Sequence, residues 1–404
     1  MSTIKLQTLK GFRDFLSKDA LQRQWLKNKM IEVCELWGYE PLETPTLEPL
    51  GLFAGQIGED EKLFYKFKDQ GDRDVALRYD QTIPTCRVIG QYISQLVLPY
   101  RRYQVQPVFR AEKPQKGRYR EFTQFDIDIF GIASPLADAE VIAVTLDIYR
   151  HLGFKSAMAI INNRDLMKNI PYAAISSIDK LKKIGIEGVV KEMIMKGIDK
   201  NKATEYLAYV QNIKPDDTIK TIFSYLSSAG FPSDQFKFEP TLARSFSYSQ
   251  GPIWEIVIPE YSAGSVGGGE RYDALIEKIS NQKVPGTGIG IGFDRTLEAT
   301  IECGLMPEFT SVSKVLVSVF SKDLWNSAIK ISTAIRNAGF SVELYPDPSS
   351  KLEKQLKYAN RKNIPFVIIQ GPEEAEKNVL KLKSMQTGEQ ETMTIDEVIK
   401  QLKN

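Results

Sequence analysis

The stretch Gln106–Gly131, QPVFRAEKPQKGRYREFTQFDIDIFG, reads as two β-strands joined by a basic loop. Side chains alternate along a strand, so residues 106, 108, 110 and 112 share a face, and Arg110 stands beside Glu112. By the same rule Arg120, Gln124 and Asp128 share a face of the return strand. The connecting loop holds Lys113, Lys116, Gly117 and Arg118. A charged hairpin is usually a solvated sheet edge. Here the charges alternate with Val108, Phe109, Phe122, Phe125, Ile127, Ile129 and Phe130, which is too apolar for an exposed ribbon. The pattern predicts a hairpin inside a larger sheet, with one face lining a cleft. Arginine and glutamate on that face, met by Gln and Asp, suit a site that holds a polyanion together with a small polar molecule.

The rest of the composition narrows the chemistry. The chain has 404 residues, enough for two or three domains, and its Lys+Arg 53 nearly balances Asp+Glu 51. Binding of nucleic acid needs a local basic surface rather than a basic whole, so this balance neither demands nor excludes it. Cys34, Cys86 and Cys303 are far apart, with no CxxC pair, so neither a disulfide framework nor a zinc site is suggested. His151 is the only histidine. No histidine-based triad or His-rich metal site is therefore available, and its place at an apparent helix end suits capping. No apolar run approaches the ~20 residues of a membrane span, and MSTIKLQTLKGFRDF lacks a signal or transit pattern. A cytoplasmic protein is expected.

Leu21, Trp25, Leu26, Met30, Val33 and Trp37 recur at helical spacing over 18–37, and Gly38 ends that helix. Pro41, Pro45 and Pro49 punctuate an extended edge segment. Short strands are predicted at Leu63–Phe67 and Val75–Arg78, a helix from near Gln81, and another at about 136–152. Lys-rich helical segments over 165–235 suggest an inserted helical subdomain. Strand-like sequence returns at Phe246–Ser249, Ile253–Ile258 and Gly286–Phe293. After a linker at 306–313, residues 314–404 alternate strand and helix as a small α/β domain, with Asp396 as the expected cap of a closing helix.

Three further segments bear on the site. VPGTGIGIGFDRTLEA, at Val284–Ala299, places Gly286, Gly288, Gly290 and Gly292 on one face of a strand. A flat ring can lie on such bare backbone, and Asp294 and Arg295 follow at a helix start. Arginine suits phosphate or a stacked base; tight packing is the plain alternative. The spacing is neither GxGxxG nor a Walker loop. Arg244 in LARSFSYSQGPIWE reads either as a surface arginine or as part of this site. The glycine run in SAGSVGGGERYDALI, ahead of Tyr272, reads either as a flexible loop or as backbone held close to a ligand.

Taken in order, these elements resemble a class II aminoacyl-tRNA synthetase, and within that class the histidyl-tRNA synthetase family. KGFRDF and YEPLETPTLEPLGLF, with Pro45, resemble the family's entry and first motif; ALRYDQT resembles an amino-acid-binding segment. FRAEKPQKGRYREFTQFDID is very similar to the second motif, and GIGIGFDR to the third, with Asp294 where glutamate is commoner. The resemblance covers nearly the whole chain. It implies an α+β catalytic domain over 1–305, an antiparallel sheet flanked by helices with the insertion at 165–235, and a C-terminal anticodon-binding domain at 314–404. It implies ATP with Mg2+, histidine and tRNA(His) as partners, a homodimer, and no membrane. Arg110 and Arg244 would be catalytic, meeting the α-phosphate from two sides. Arg118 and Arg295 would hold the outer phosphates, Phe122 would stack on adenine against the glycine face with Gly292, and Glu112 would lie near its amino group. Asp80, Thr82 and Gln124 would hold the amino acid's ammonium and carboxylate, and Asp128 would face its imidazole, with Tyr248 and Tyr272 completing the pocket.

One segment departs from the family. Its third pocket element usually reads RGLDYY, whereas here it is Arg244-Ser245-Phe246-Ser247-Tyr248-Ser249. Ser249 stands where the second tyrosine is usual, and Ser247 where the aspartate is. Two alternatives stay open: a non-catalytic histidine-binding regulatory paralogue, and a class II ligase for another amino acid.

Overall fold

A computed structural model of the chain describes residues 6–55, 62–114, 118–244, 249–309 and 311–403. The chain divides into two compact units, Met1–Phe15 with Gln22–Met306, and Leu16–Leu21 with Pro307–Asn404.

The first unit is built on an eight-stranded sheet. Its spatial order is Glu40–Pro41, Tyr100–Phe109, Glu121–Phe130, Gly286–Gly292, Gly267–Arg271, Gln250–Val257, Met158–Asn163 and Phe236–Phe238. The six central strands pair antiparallel, and only the two outermost pairings are parallel. The period-2 alternation makes this sheet two-faced. Phe125, Ile127 and Ile129 point to one side with Ile289, Ile291, Trp254 and Ile256, all buried. Helix Pro135–His151 covers that side with Val141, Ile142, Val144, Ile148 and Tyr149. Each such side chain contributes roughly 1.5–3 kcal/mol by leaving water. That helix begins where Ser134 Oγ accepts the Leu136 amide at 3.2 Å, with Pro135 at its first position. At its other end His151 Nδ1 lies 2.9 Å from the Asp147 carbonyl, the satisfied helix-end histidine that its position suggests. Leu26, Met30, Val33 and Cys34 of helix Ser17–Leu36 pack into the same core. The opposite face carries Gln124, Asp126, Asp128 and the glycines, and holds the site.

The hairpin itself differs from its reading in extent. Its first strand runs Tyr100–Phe109, not Gln106–Glu112, and the second runs Glu121–Phe130. Arg110, Glu112 and Arg120 therefore lie beyond the ladder. Pro107 is tolerated because the outer neighbour pairs only at Arg102 and Tyr103. The glycine run also resolves: Gly267–Arg271 is a central strand, not a loop. Gly269 is needed there, since a Cβ would lie 2.2 Å from the Trp254 ring. The expected strand at Phe246–Ser249 falls almost wholly outside the described residues, and Ser249 is not in a strand.

Within 165–235, helices Tyr172–Ile178, Leu181–Met195 and Lys200–Asn212 share a core of Ile175, Ile178, Val189, Met193, Leu207 and Val210. Helix Asp217–Ser228 instead joins the main core through Ile219, Ile222 and Leu226.

The second unit has a mixed five-stranded sheet, ordered Val342–Leu344, Val315–Val317, Phe366–Ile369, Leu380–Ser384 and Gln390–Met393. The first three strands are parallel and the last two pairings antiparallel. Alternation sends Val315, Val317 and Ile368 to one core, Leu316, Val367 and Ile369 to another. The closing helix Ile395–Lys403 is capped by Thr394 rather than Asp396. Thr394 Oγ1 accepts the Glu397 amide at 3.4 Å, and Glu397 Oε2 accepts the Thr394 amide at 2.7 Å. Asp396 sits in the first turn, where its charge complements the helix dipole. Among the described residues no helix is long and apolar enough to cross a membrane.

Candidate active site

The polar sheet face opens into a cavity of about 370 Å³. The register explains its floor: Gly288 pairs with Asp128, Gly290 with Asp126 and Gly292 with Gln124. The glycine strand thus gives up its side chains where the hairpin strand projects polar ones. A Cβ at Gly288 would lie 1.8 Å from Asp128 Oδ1 and 2.8 Å from the Ile127 carbonyl. On the roles the resemblance implies, Gly288→Ala is therefore expected to raise KM for the amino-acid substrate at least about tenfold, with a smaller change for the nucleotide, measured by steady-state kinetics.

Of the residues singled out from sequence, Asp80, Thr82, Arg110, Glu112, Arg118, Phe122, Gln124, Asp128, Arg244, Tyr272, Gly292 and Arg295 all line this cavity. Tyr248, with Ser247, Lys116 and Gly117, lies outside the described residues. Arg120 does not join the lining; its Nε donates to the Glu112 carbonyl at 3.0 Å.

Arg110 is held across the cavity wall. Its guanidinium lies 4.3 Å from the Tyr79 ring centroid and 5.1 Å from that of Phe122, and Nε donates to the Tyr79 carbonyl at 3.3 Å. Arg118 pairs with Glu112 at 3.1 Å across the loop mouth. Arg295, at the start of helix Phe293–Glu302, donates to the Ser265 carbonyl at 2.8 Å. Arg244 has φ +40 and lies against Gly268, where a Cβ would meet its Nη1 at 1.7 Å. Four arginines thus line one concavity, suited to several phosphates.

The end of the cavity around Asp80 and Asp128 is acidic, with both carboxylates buried. Asp80 Oδ1 accepts the Ile83 amide at 3.2 Å, and burial pushes its carboxyl up to about 6, against the pull of Arg110. Asp128 accepts from the Tyr272 hydroxyl and pairs with buried Arg102 at 2.6 Å. Burial raises its proton affinity, and Arg102 and Tyr272 oppose that rise.

Sequence reasoning missed Glu270. It is buried, accepts from Ser249 Oγ, and lies 3.5 Å from Arg244 Nη2. Alternation within Gly267–Arg271 puts it on the cavity face beside Gly268, a signal masked in the sequence by the low strand propensity of the glycines. Ser249 thereby has a defined place: its hydroxyl fixes the glutamate that faces Arg244. Asp294, which also lines the cavity, is an anchor. It pairs with Arg13 at 2.8 Å and Arg23 at 2.6 Å, and accepts the Thr123 amide at 3.0 Å. It thus ties the hairpin to the helix that presents Arg295.

An antiparallel sheet with a glycine floor, an arginine-lined cavity and an acidic pocket defines the catalytic unit of a class II aminoacyl-tRNA synthetase. The family model for histidyl-tRNA synthetase matches residues 11–184, and that for an anticodon binding domain matches residues 314–404. The chain is 33% identical to the histidine–tRNA ligase of Cytophaga hutchinsonii, covering 97% of this chain and 98% of that one. It is 34% identical to that of Helicobacter pylori, covering 95% of each. The crystal structure of histidyl-tRNA synthetase from a Nostoc species superposes with a TM-score of 0.85 at 26% identity, covering 99% of both chains. The chain belongs to the histidyl-tRNA synthetase family.

Proposed function

We propose that this chain is a histidine–tRNA ligase, joining histidine to AMP and then passing the histidyl group to the 3′ end of tRNA(His). The observation that carries this reading is the single cavity in which four arginines face a pocket floored by Gln124 and Asp128. In the first step a carboxylate oxygen of histidine attacks the α-phosphorus, the bond to the bridging β-phosphate oxygen breaks, and diphosphate leaves. Such a displacement needs positioning and charge neutralisation more than a protein acid or base. Arg110 and Arg244 take the α-phosphate from two sides, and Arg118 and Arg295 take the outer phosphates. Phe122 stacks on adenine over Gly292, with Glu112 near the exocyclic amine. Asp80, Thr82 and Gln124 hold the ammonium and carboxylate, while Asp128, Tyr272 and Tyr248 surround the imidazole.

Mg2+ binds one or two carboxylates together with substrate phosphates and keeps much of its water. Glu270 on the cavity wall, beside Arg244, fits that need, and the ion would neutralise phosphate charge there. The 314–404 unit is assigned to the anticodon, and the working form to a homodimer in the cytoplasm. Free Cys34, Cys86 and Cys303 accord with a reducing compartment.

Amino-acid-dependent ATP–diphosphate exchange, run with each of the twenty amino acids, tests the reading. Exchange with histidine and charging of tRNA(His) are expected. Exchange with another amino acid would redirect the assignment, and its absence with all would point to a regulatory histidine-binding role.

A further inference from the structure

Directly behind the imidazole pocket lies a charge that does not line the cavity. Arg102 sits opposite Asp128 in the strand register, and its side chain is fully buried. Nη2 lies 2.6 Å from Asp128 Oδ2, and Nη1 donates to Gln104 Oε1 at 3.0 Å. A buried relay fixes it from behind. Gln104 Nε2 donates to Thr44 Oγ1 at 2.9 Å and to Gln106 Oε1 at 2.5 Å, and Gln106 Oε1 also accepts from Arg78 at 2.7 Å. Such a chain leaves the guanidinium little freedom to turn away.

The other groups facing Asp128 come from every neighbouring element. Tyr272 donates to Oδ1 from the segment after the Gly267–Arg271 strand. Cys86 approaches from helix Thr82–Tyr92, Asp126 lies on the same strand, and both interact with the Asp128 charge. Asp80 adds a further carboxyl beyond them. The glycine strand contributes no titratable group. Arg102 is thus the only cation among them. A buried carboxylate with no such partner takes up a proton and stops being a pure acceptor. Paired with Arg102, it keeps its lone pairs while the pair carries no net charge. An imidazolium placed there would add a second positive charge beside a buried guanidinium. A neutral imidazole offering one N–H would not.

We propose that Arg102 is a positioning residue that sets side-chain specificity: it keeps Asp128 a neutralised acceptor, so that the pocket takes histidine by the N–H of its uncharged imidazole. This rests on the histidine reading of the site. Two measurements on the full chain test it. The first is the nitrogen NMR spectrum of ring-labelled histidine bound to the wild-type protein. A neutral ring with one protonated nitrogen is expected even at about pH 6, where most free imidazole is charged. A bound imidazolium would overturn the proposal. The second is exchange kinetics of two variants. Arg102→Met should raise KM for histidine about tenfold, as for loss of a charge-assisted contact, with kcat and KM for ATP little changed. That rise should shrink as pH increases and Asp128 ionises unaided. Arg102→Lys, which retains the charge, should recover most of the affinity. An unchanged histidine KM, or equal losses for histidine and ATP in both variants, would overturn the proposal. If Arg102→Met does not fold, the bound spectrum and Arg102→Lys decide. A wild-type protein that shows no exchange with histidine would remove the underlying reading instead, and this proposal with it.

Discussion

Arg110→Ala is expected to lower kcat for histidine-dependent exchange by about 100-fold or more, as for loss of one preorganised contact to charge developing in a transition state. The expectation follows from how the side chain is held. Its guanidinium lies over Tyr79 and near Phe122, with Nε committed to the Tyr79 carbonyl at 3.3 Å. The terminal nitrogens are thereby aimed into the cavity without further reorganisation. As the carboxylate oxygen approaches, negative charge gathers on the equatorial oxygens of the α-phosphoryl group, and a fixed cation there gains most at that point. The loss should therefore appear in kcat more than in KM for ATP, because Arg118, Arg244 and Arg295 also line the cavity and, on the proposed reading, would still hold the nucleotide. Arg110→Lys should recover only part of the rate, since an ammonium cannot reproduce the planar fork. Near-normal turnover of the alanine variant, measured by exchange and by single-turnover adenylate formation, would remove Arg110 from the role given to it.

Much of the site was legible because strand alternation is a local rule. Gln124 and Asp128 share a face, and Gly286, Gly288, Gly290 and Gly292 share another, wherever those strands are placed. What joins the two faces into one cavity is the register of Gly288 against Asp128, which no local rule supplies. The same limit hid Arg102, 26 residues from Asp128 in sequence and directly opposite it in the sheet. Strand ends were misplaced for a related reason. Polar residues alternate through Arg102, Gln104 and Gln106, so the ladder extends toward Tyr100 although its buried face reads as hydrophilic. It stops at Phe109, where the chain turns to aim Arg110 inward. Gly267–Arg271 failed the other way. Its glycines lack strand propensity but are required by Trp254 and Arg244 lying against them. Tertiary contact overrode composition at that point, and Glu270 was lost with the strand.

Asp126→Asn is expected to make the first unit more stable relative to wild type as pH rises from about 5 to 8. Asp126 is buried on the floor strand, with Oδ1 lacking a hydrogen-bond partner among the described residues. Burial pushes its carboxyl up to about 8, Arg102 pulls the other way, and Asp128 and Asp80 add to the rise. An aspartate in an unfolded chain titrates near 3.9. Between about 4 and 8 the folded state therefore holds a proton that the unfolded state has released. With more protons bound in the native state, stability falls as pH increases, by about 1.4 kcal/mol per pH unit for one proton, and levels off above the folded value. Asparagine cannot ionise, so this slope vanishes in the variant. Any fixed cost of fitting the amide changes the offset between the two proteins but not the trend. The melting temperature of Asp126→Asn minus that of wild type should thus climb by several degrees across the interval, followed by calorimetry at matched ionic strength. A difference that stays flat with pH would mean that Asp126 is ionised in the fold, with Arg102 shared between two carboxylates rather than committed to Asp128.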